Sequence, residues 1–329
     1  MSELYIKQDL IKSLSQVDAI LLDIDGVVLD VSQSFRVVIE ATTQYYATEV
    51  MKLLDTGPLL PASETELFKL AGGFNSDWDL TNAAVAFVVA KHAQSGALQT
   101  GALREQAPSW EEYTAELKRR GGGLAAAEAA ILEMLTPHQR RDFARGWHPK
   151  LVTQLFQETY AGEGACRQLY GFDPEHIHSE GYYQRERVIL DAALLPPRLK
   201  IGVLTGRTRS EAQVALQMAG LTERIPEATW VTEDDGVRKP DGRTLLLLRD
   251  RLDFRFGIYI GDTMDDHRTV FNYRELKGSG RAKILSCTAL SGPSGATHRR
   301  LFLEAGSEIV TPDANFLLQY LNQVIGVRS

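Results

Sequence analysis

Asp18-Ala-Ile-Leu-Leu-Asp23-Ile-Asp25-Gly26-Val-Val-Leu-Asp30 is the stretch on which the reading of the fold turns. Ala19, Ile20, Leu21 and Leu22 offer no polar face, which suits a strand covered on both sides in a parallel sheet. The run stops at two carboxylates two residues apart. Positions i and i+2 of an extended chain point the same way, so Asp23 and Asp25 can converge on one point. Gly26 behind them lets the chain turn sharply from the sheet edge. Open α/β sheets bind ligands at the carboxyl ends of such strands.

Working outward, the residues on the amino-terminal side, Leu4, Leu10, Ile11 and Leu14, form a helical stripe expected to pack beside this first strand. On the other side the texture changes after Asp30. From 31 to 192 helical spacings dominate, as in Phe35-Val38-Ile39, Ala83-Phe87-Val88, Tyr113-Leu117 and Leu151-Leu155-Phe156. Within this section Gly121-Gly122-Gly123 reads as a flexible joint ahead of an Ala-rich helix.

Alternating strands and helices return at 199. Strands are expected at 199–204, 228–232, 256–260 and 282–286. Thr208-Arg-Ser-Glu211 fits a capping box and Gly220 the matching helix end. Pro240 is expected in the first turn of the helix carrying Leu245 to Leu248. Asp313 is expected to cap a closing helix with Phe316, Leu317, Tyr320, Leu321 and Val324 on one face. The reading is an α/β protein whose parallel sheet is split between 1–30 and 193–329, with a helical domain, 31–192, inserted after the first strand.

Composition agrees with that frame. At 329 residues two domains are expected, and 44% apolar residues suffice for a sizeable core. A net charge of −7 argues against a nucleic-acid partner or an anionic membrane surface. Cys166 and Cys287 are too few and too distant for a disulfide framework or a zinc site. The first residues lack a signal-type apolar region and no stretch reaches membrane-spanning length, so the expected location is cytoplasmic. His176-Ile-His178 lacks further ligand spacing and is read as a solvated turn. The sequence carries no signal of oligomeric state.

Four strand ends bring polar groups to one sheet edge: Asp23 with Asp25, Thr205, Lys239 after a short loop, and Asp262 with Asp266. Asp23, Asp25 and Asp262 are hard oxygen ligands that repel one another without a cation, and Mg²⁺ is the natural occupant. Thr205 offers a hydroxyl, and Lys239 a compact positive charge beside the field of the helix expected to begin at Pro240. A nucleophile, a metal and donors for a phosphoryl group together make phosphoryl-transfer equipment.

Asp23-Ile-Asp25-Gly26-Val, Thr205-Gly206-Arg207, Lys239-Pro240 and Gly261-Asp262-xxx-Asp266 resemble the four motifs of the haloacid dehalogenase-like superfamily. The resemblance implies a Rossmann-like sheet in which Asp23 attacks phosphorus to form an aspartyl-phosphate. It implies that Asp25 protonates the leaving alcohol and then activates water, with Thr205 and Lys239 also catalytic. It further implies Mg²⁺ held by Asp23, the backbone carbonyl of Asp25 and Asp262, with Asp266 in support. Dehalogenases of the superfamily lack the second acid, so Asp25 favours phosphate chemistry. The insert resembles the C1-type helical cap of the superfamily. Segments 30–36 and 72–81 resemble a small branch associated with histidine biosynthesis, which makes histidinol phosphate one candidate substrate.

Gly206, Arg207, Arg36, Asn75 and Trp78 are candidate substrate-binding residues. Gly72-Gly73 is either a turn presenting Asn75 and Trp78 or the approach to a helix capped by Ser76 or Asp77, with Trp78 in the core. Arg36 and Arg207 are either phosphate contacts or structural arginines. The function expected is a Mg²⁺-dependent phosphomonoesterase acting on a small phosphorylated metabolite. Two rivals stand beside it: a phosphomutase that uses the same residues and returns the phosphoryl group to a sugar, and a non-catalytic binding or regulatory module that kept the fold.

Overall fold

The computed structural model describes residues 4–74, 76–277, 280, 282–292, 295 and 298–326. The chain divides into two compact units, Met1–Val31 with Glu186–Ser329, and Ser32–Arg185. No helix among the described residues is long and apolar enough to cross a membrane.

The strands are β1 (Tyr5–Ile6), β2 (Ala19–Leu22), β3 (Leu29–Asp30), β4 (Arg187–Val188), β5 (Lys200–Leu204), β6 (Trp230–Val231), β7 (Phe256–Gly261), β8 (Lys283–Ala289) and β9 (Ile309–Thr311). The main sheet runs β1-β9-β8-β7-β2-β5-β6, parallel throughout except that β1 lies antiparallel to β9. β2 sits between β5 and β7, with Leu22 opposite Val203 on one side and Ile260 on the other. Its four residues are wholly buried, which is why they carry no polar side chain. The chain leaves β2 toward β5 and β6, then returns to the opposite side as β7. That reversal is a switch point in the strand order, and parallel α/β sheets bind ligands at the carboxyl ends of the strands that flank it, here β2 with β5 and β7.

Leu21, Leu204, Val231, Leu245, Leu248, Tyr259 and Val270 belong to one core cluster of this unit, so the strands and the helices Arg243–Leu252 and Met264–Arg274 share an interior. The expected capping box forms: Thr208 Oγ1 accepts from Glu211 N, and Glu211 Oε2 accepts from Thr208 N at 2.8 Å. Gly220 follows this helix with φ +65°.

Local pattern and structure differ at several places. Residues 4–16 are not one α-helix: β1 pairs with β9, and a 3₁₀ stretch Gln8–Gln16 follows. Leu10 and Leu14 are buried while Ile11 is exposed, because this stretch packs on the closing helix Ala314–Gly326. The helix after Lys239 starts at Arg243, so Pro240 lies ahead of its first turn, where Asp241 Oδ1 accepts from Arg243 N at 2.8 Å. Asp313 does cap the closing helix, accepting from Phe316 N at 2.7 Å. Phe316 itself is exposed, and Leu318 is buried beside Leu317 and Leu321. β9, only three residues long, carries too short a pattern to be read from sequence.

Residues 186–192 fall with the sheet unit because β4 pairs antiparallel with β3, Val188 opposite Leu29 and Arg187 opposite Asp30. In the other unit the helix Asp77–Ser95 is buried from Leu80 through Lys91. Phe87 on it stacks on Tyr113 with ring centres 4.0 Å apart, and Trp110 closes on the same ring. The glycines at 121–123 are not a flexible joint. Gly123 N donates to Gly72 O at 3.0 Å, and a Cβ on Gly122 would lie 2.0 Å from the same oxygen. Two backbone turns are pressed together there, which only residues without side chains permit. The helix Gly123–Met134 begins from that contact.

Candidate active site

Asp23 follows β2 directly. Its backbone N–H continues the ladder to Ile260 O at 2.9 Å, so its position is set by the sheet itself. The next turn is folded by Ile24 O, which accepts from the backbone of Val28 and Leu29, while Gly26 N donates to Leu29 O. This compact turn carries Asp25 back over the strand end.

Lys239 joins two of the acids. Its buried Nζ donates to Asp23 Oδ2 at 2.8 Å and to Asp266 Oδ1 at 2.6 Å. Asp266 sits in the first turn of the helix Met264–Arg274, capped by Thr263, and both its oxygens are engaged. Oδ1 also accepts from Tyr259 OH at 2.7 Å; Oδ2 accepts from Thr263 Oγ1 at 2.6 Å and Thr263 N at 3.0 Å. Asp23, Asp262 and Asp266 each place a carboxylate oxygen within 4.8 Å of the others. Thr205, at the end of β5, is buried, and its hydroxyl accepts from Arg207 N at 3.2 Å.

Electrostatics divide these acids. Burial pushes the Asp23 carboxyl up from 3.8 to about 7, with Lys239 pulling it down and Asp266 and Asp25 pushing it further up. Burial, then Asp266 and Asp23, holds Asp262 well above the usual carboxylate range. For Asp266, burial is outweighed by Lys239 and the donors Thr263 and Tyr259, so its carboxyl lies below the ordinary value. Lys239 is raised: burial opposes its charge, but the two carboxylates more than compensate. Tyr259 is raised by burial and by Asp266, so it is a neutral donor.

Asp262 is the unsatisfied member. Its buried Oδ1 finds no hydrogen-bond partner among the described residues. Its Oδ2 lies in a cradle of backbone: a Cβ on Gly26 would come within 2.5 Å of it, and one on Gly292 within 1.9 Å. Three buried carboxylates around one ammonium are short of positive charge, and an orphaned acceptor among them fits a small hard cation. Asp23 and Asp262 could hold Mg²⁺ directly. Asp266, both oxygens already occupied, is suited to orienting Lys239.

Gly206 and Arg207 are in the turn after β5. Arg207 is buried and its side chain binds Asp25 and Glu186, so within this unit it is tied to protein carboxylates. Arg36 pairs with Glu66 in the helical unit. Ser76 caps the helix Asp77–Ser95, accepting from Asp79 N at 3.4 Å, and Trp78 is half-buried, edge-on to Tyr170 at 6.2 Å. Asn75 lies outside the described residues. His176 and His178 are exposed. Tyr259, Thr263, Glu186 and Gly292 escaped the sequence reading. Thr263-xx-Asp266 is a capping pattern that could have been seen, and Tyr259 is the one hydroxyl in an otherwise apolar strand.

A parallel sheet with a buried acid–lysine cluster at its strand ends is the frame of an α/β enzyme. The chain belongs to the haloacid dehalogenase-like hydrolase family, which residues 17–269 match. It is 25% identical over 256 residues to imidazoleglycerol-phosphate dehydratase of Phytophthora nicotianae, a match covering 77% of this chain but only 40% of that protein. Among solved structures it resembles phosphatase Tt82 from Thermococcus thioreducens, with a TM-score of 0.60 at 22% identity over 93% of this chain and 99% of that one. A Northeast Structural Genomics Consortium target gives a TM-score of 0.61 at 14% identity, over 94% and 100% of the two chains. At these identities the structural likeness is one of fold.

Proposed function

We propose that this hydrolase is a Mg²⁺-dependent phosphomonoesterase that works through an aspartyl-phosphate on Asp23. The observation that carries the reading is the buried Asp23–Lys239–Asp266 bridge beside the orphaned Asp262 oxygen, with a second acid, Asp25, two residues beyond the nucleophile. Mg²⁺, held by Asp23, Asp262 and the backbone carbonyl of Asp25, would neutralise phosphoryl oxygens and favour attack by a carboxylate. Lys239 keeps Asp23 in place and adds positive charge beside the incoming phosphoryl group. Thr205 supplies a hydroxyl at the same edge. Asp23 displaces the leaving oxygen, which takes a proton from Asp25. Asp25, now a carboxylate, removes a proton from the water that cleaves the acyl phosphate.

The helical unit is proposed as the cap that selects substrate, with Arg36, Asn75 and Trp78 as its candidate contacts and the segments near 29–33 and 190–198 as hinges. The substrate class is a small phosphorylated metabolite. Histidinol phosphate is one candidate, supported by the branch resemblance and by the phosphate ester in the curated relative's name.

The test is phosphate release from a panel of phosphorylated metabolites, with and without Mg²⁺, beside Asp23→Asn. Release that needs Mg²⁺ and disappears in the variant is expected. Phosphate exchange between positions of a sugar without net release would instead identify a mutase. A protein inert toward the whole panel while binding Mg²⁺ would overturn the reading.

A further inference from the structure

Arg207 and Glu186 form a buried pair behind the second acid. Arg207 Nε and Nη2 both donate to Asp25 Oδ1, at 2.8 and 2.7 Å, and Nη2 lies 3.0 Å from Glu186 Oε1. The side chains of Arg207 and Glu186 are 1% exposed, whereas that of Asp25 is 28% exposed. A surface arginine finding a neighbouring acid would be solvated; this one is sealed beneath the acid. Backbone contacts fix it further, since Arg207 N donates to Thr205 Oγ1 and Arg207 O accepts from Glu233 N at 2.9 Å. Glu186 arrives from far along the sequence because β4 pairs with β3 and Ile189 N donates to Val28 O at 2.9 Å, drawing the chain beside the Asp25 turn.

We infer that Arg207 and Glu186 are positioning residues that hold Asp25 Oδ1, leaving Oδ2 as the oxygen that exchanges a proton with the leaving group and with water. The inference rests on the phosphoryl-transfer reading and deepens it. In the first step the Asp23–phosphorus bond forms, the bond from phosphorus to the leaving oxygen breaks, and the proton passes from Asp25 Oδ2 to that oxygen. A carboxyl free to rotate would present the wrong oxygen or the wrong distance for part of the time, and general acid catalysis requires hydrogen-bond reach. Glu186 serves by fixing the guanidinium, whose fork geometry a lysine cannot reproduce. Arg207 is thereby assigned to the acid rather than to the substrate phosphate.

An alkyl phosphate needs its leaving oxygen protonated, whereas p-nitrophenyl phosphate releases p-nitrophenolate, an anion stable without that proton. The readout is therefore the ratio of kcat/KM for ethyl phosphate to that for p-nitrophenyl phosphate, which reports the phosphorylation step. Arg207→Gln is expected to lower the ratio by about tenfold or more, part of the ~10²–10⁴ a placed acid contributes. Glu186→Gln, an isosteric change that spares the fold should Arg207→Gln fail to express, lowers it in the same direction by a smaller factor. In an Asp25→Asn background neither substitution lowers the ratio further. An active wild type whose ratio is unchanged in both variants, or variants that lose both substrates equally, would overturn the inference alone. A wild type inert toward both esters would overturn the phosphatase reading and this inference with it.

Discussion

Replacing Asp262 with asparagine should stabilise the metal-free protein and abolish its response to Mg²⁺. The Asp23 carboxyl rises from 3.8 in an open chain to about 7 in the folded protein. A group raised in this way binds its proton more tightly when folded, so native stability falls as pH rises from 3.8 through about 7 and is lowest above that window. At about 1.4 kcal/mol per pH step, the cost of ionising Asp23 reaches about 4 kcal/mol, an upper figure for a site that water can enter. Asp262 is raised in the same direction by burial and by its neighbouring acids. The substituted amide would keep the shape that fits between Gly26 and Gly292 while removing one buried charge and part of the repulsion felt by Asp23. Relief of half or more of the Asp23 cost is a gain of about 2–3 kcal/mol at pH 8, which at about 2–4 °C per kcal/mol for a unit of this size raises Tm by roughly 5–10 °C. At pH 5, little more than one step above 3.8, the gain should fall to about 1 kcal/mol. Mg²⁺ at a hundredfold excess over Kd restores about 2.7 kcal/mol to the wild type and nothing to the variant, so adding metal should close the gap between them to under about 1 kcal/mol. Differential scanning calorimetry at pH 5 and 8, with and without MgCl₂, reads all four conditions. A variant less stable than wild type without metal, or equally stabilised by Mg²⁺, would refute the charge argument.

Two further predictions concern the helical unit. Gly122→Ala places a methyl 2.0 Å from Gly72 O at a residue with φ +77°; it should cost at least about 2 kcal/mol and lower the urea midpoint, and an unchanged midpoint would show that the two turns are not pressed together. Lys91 is buried on the helix Asp77–Ser95, and burial, then Arg104, lowers its ammonium from 10.5 to about 8. Its charged form therefore destabilises the native state fully below pH 8, and the penalty fades as pH rises from 8 to 10.5. Lys91→Met should raise stability at pH 7 by on the order of 2 kcal/mol and have little effect near pH 10.5. A gain independent of pH would show that packing, not charge, is responsible.

What could be read along the chain and what could not differ in range. Ala19–Leu22 announces a doubly covered strand by lacking any polar residue, and Thr208-xx-Glu211 announces a helix start by a hydrogen bond spanning three residues. The order of acids, threonine and lysine at successive strand ends follows from the same short-range patterns, because a parallel sheet delivers consecutive strand ends to one edge. Weak local signals were outvoted: β9 has only three residues, and Gln8–Gln16 yields to the closing helix it packs against. Glu186 and Gly292 belong to the site through contacts with residues remote in sequence, so no spacing marks them. The glycines at 121–123 looked like a joint until Gly72 supplied the surface they press on. By itself the sequence determined which groups are available and the strand ends that carry them, since these depend on side-chain type and backbone period. Only the tertiary structure decided which carboxylate is orphaned, which is held by an arginine and how far each is shifted. Burial and Coulomb interactions depend on distance in space, and the chain brings Lys239, Asp23 and Asp266 together only when the sheet closes.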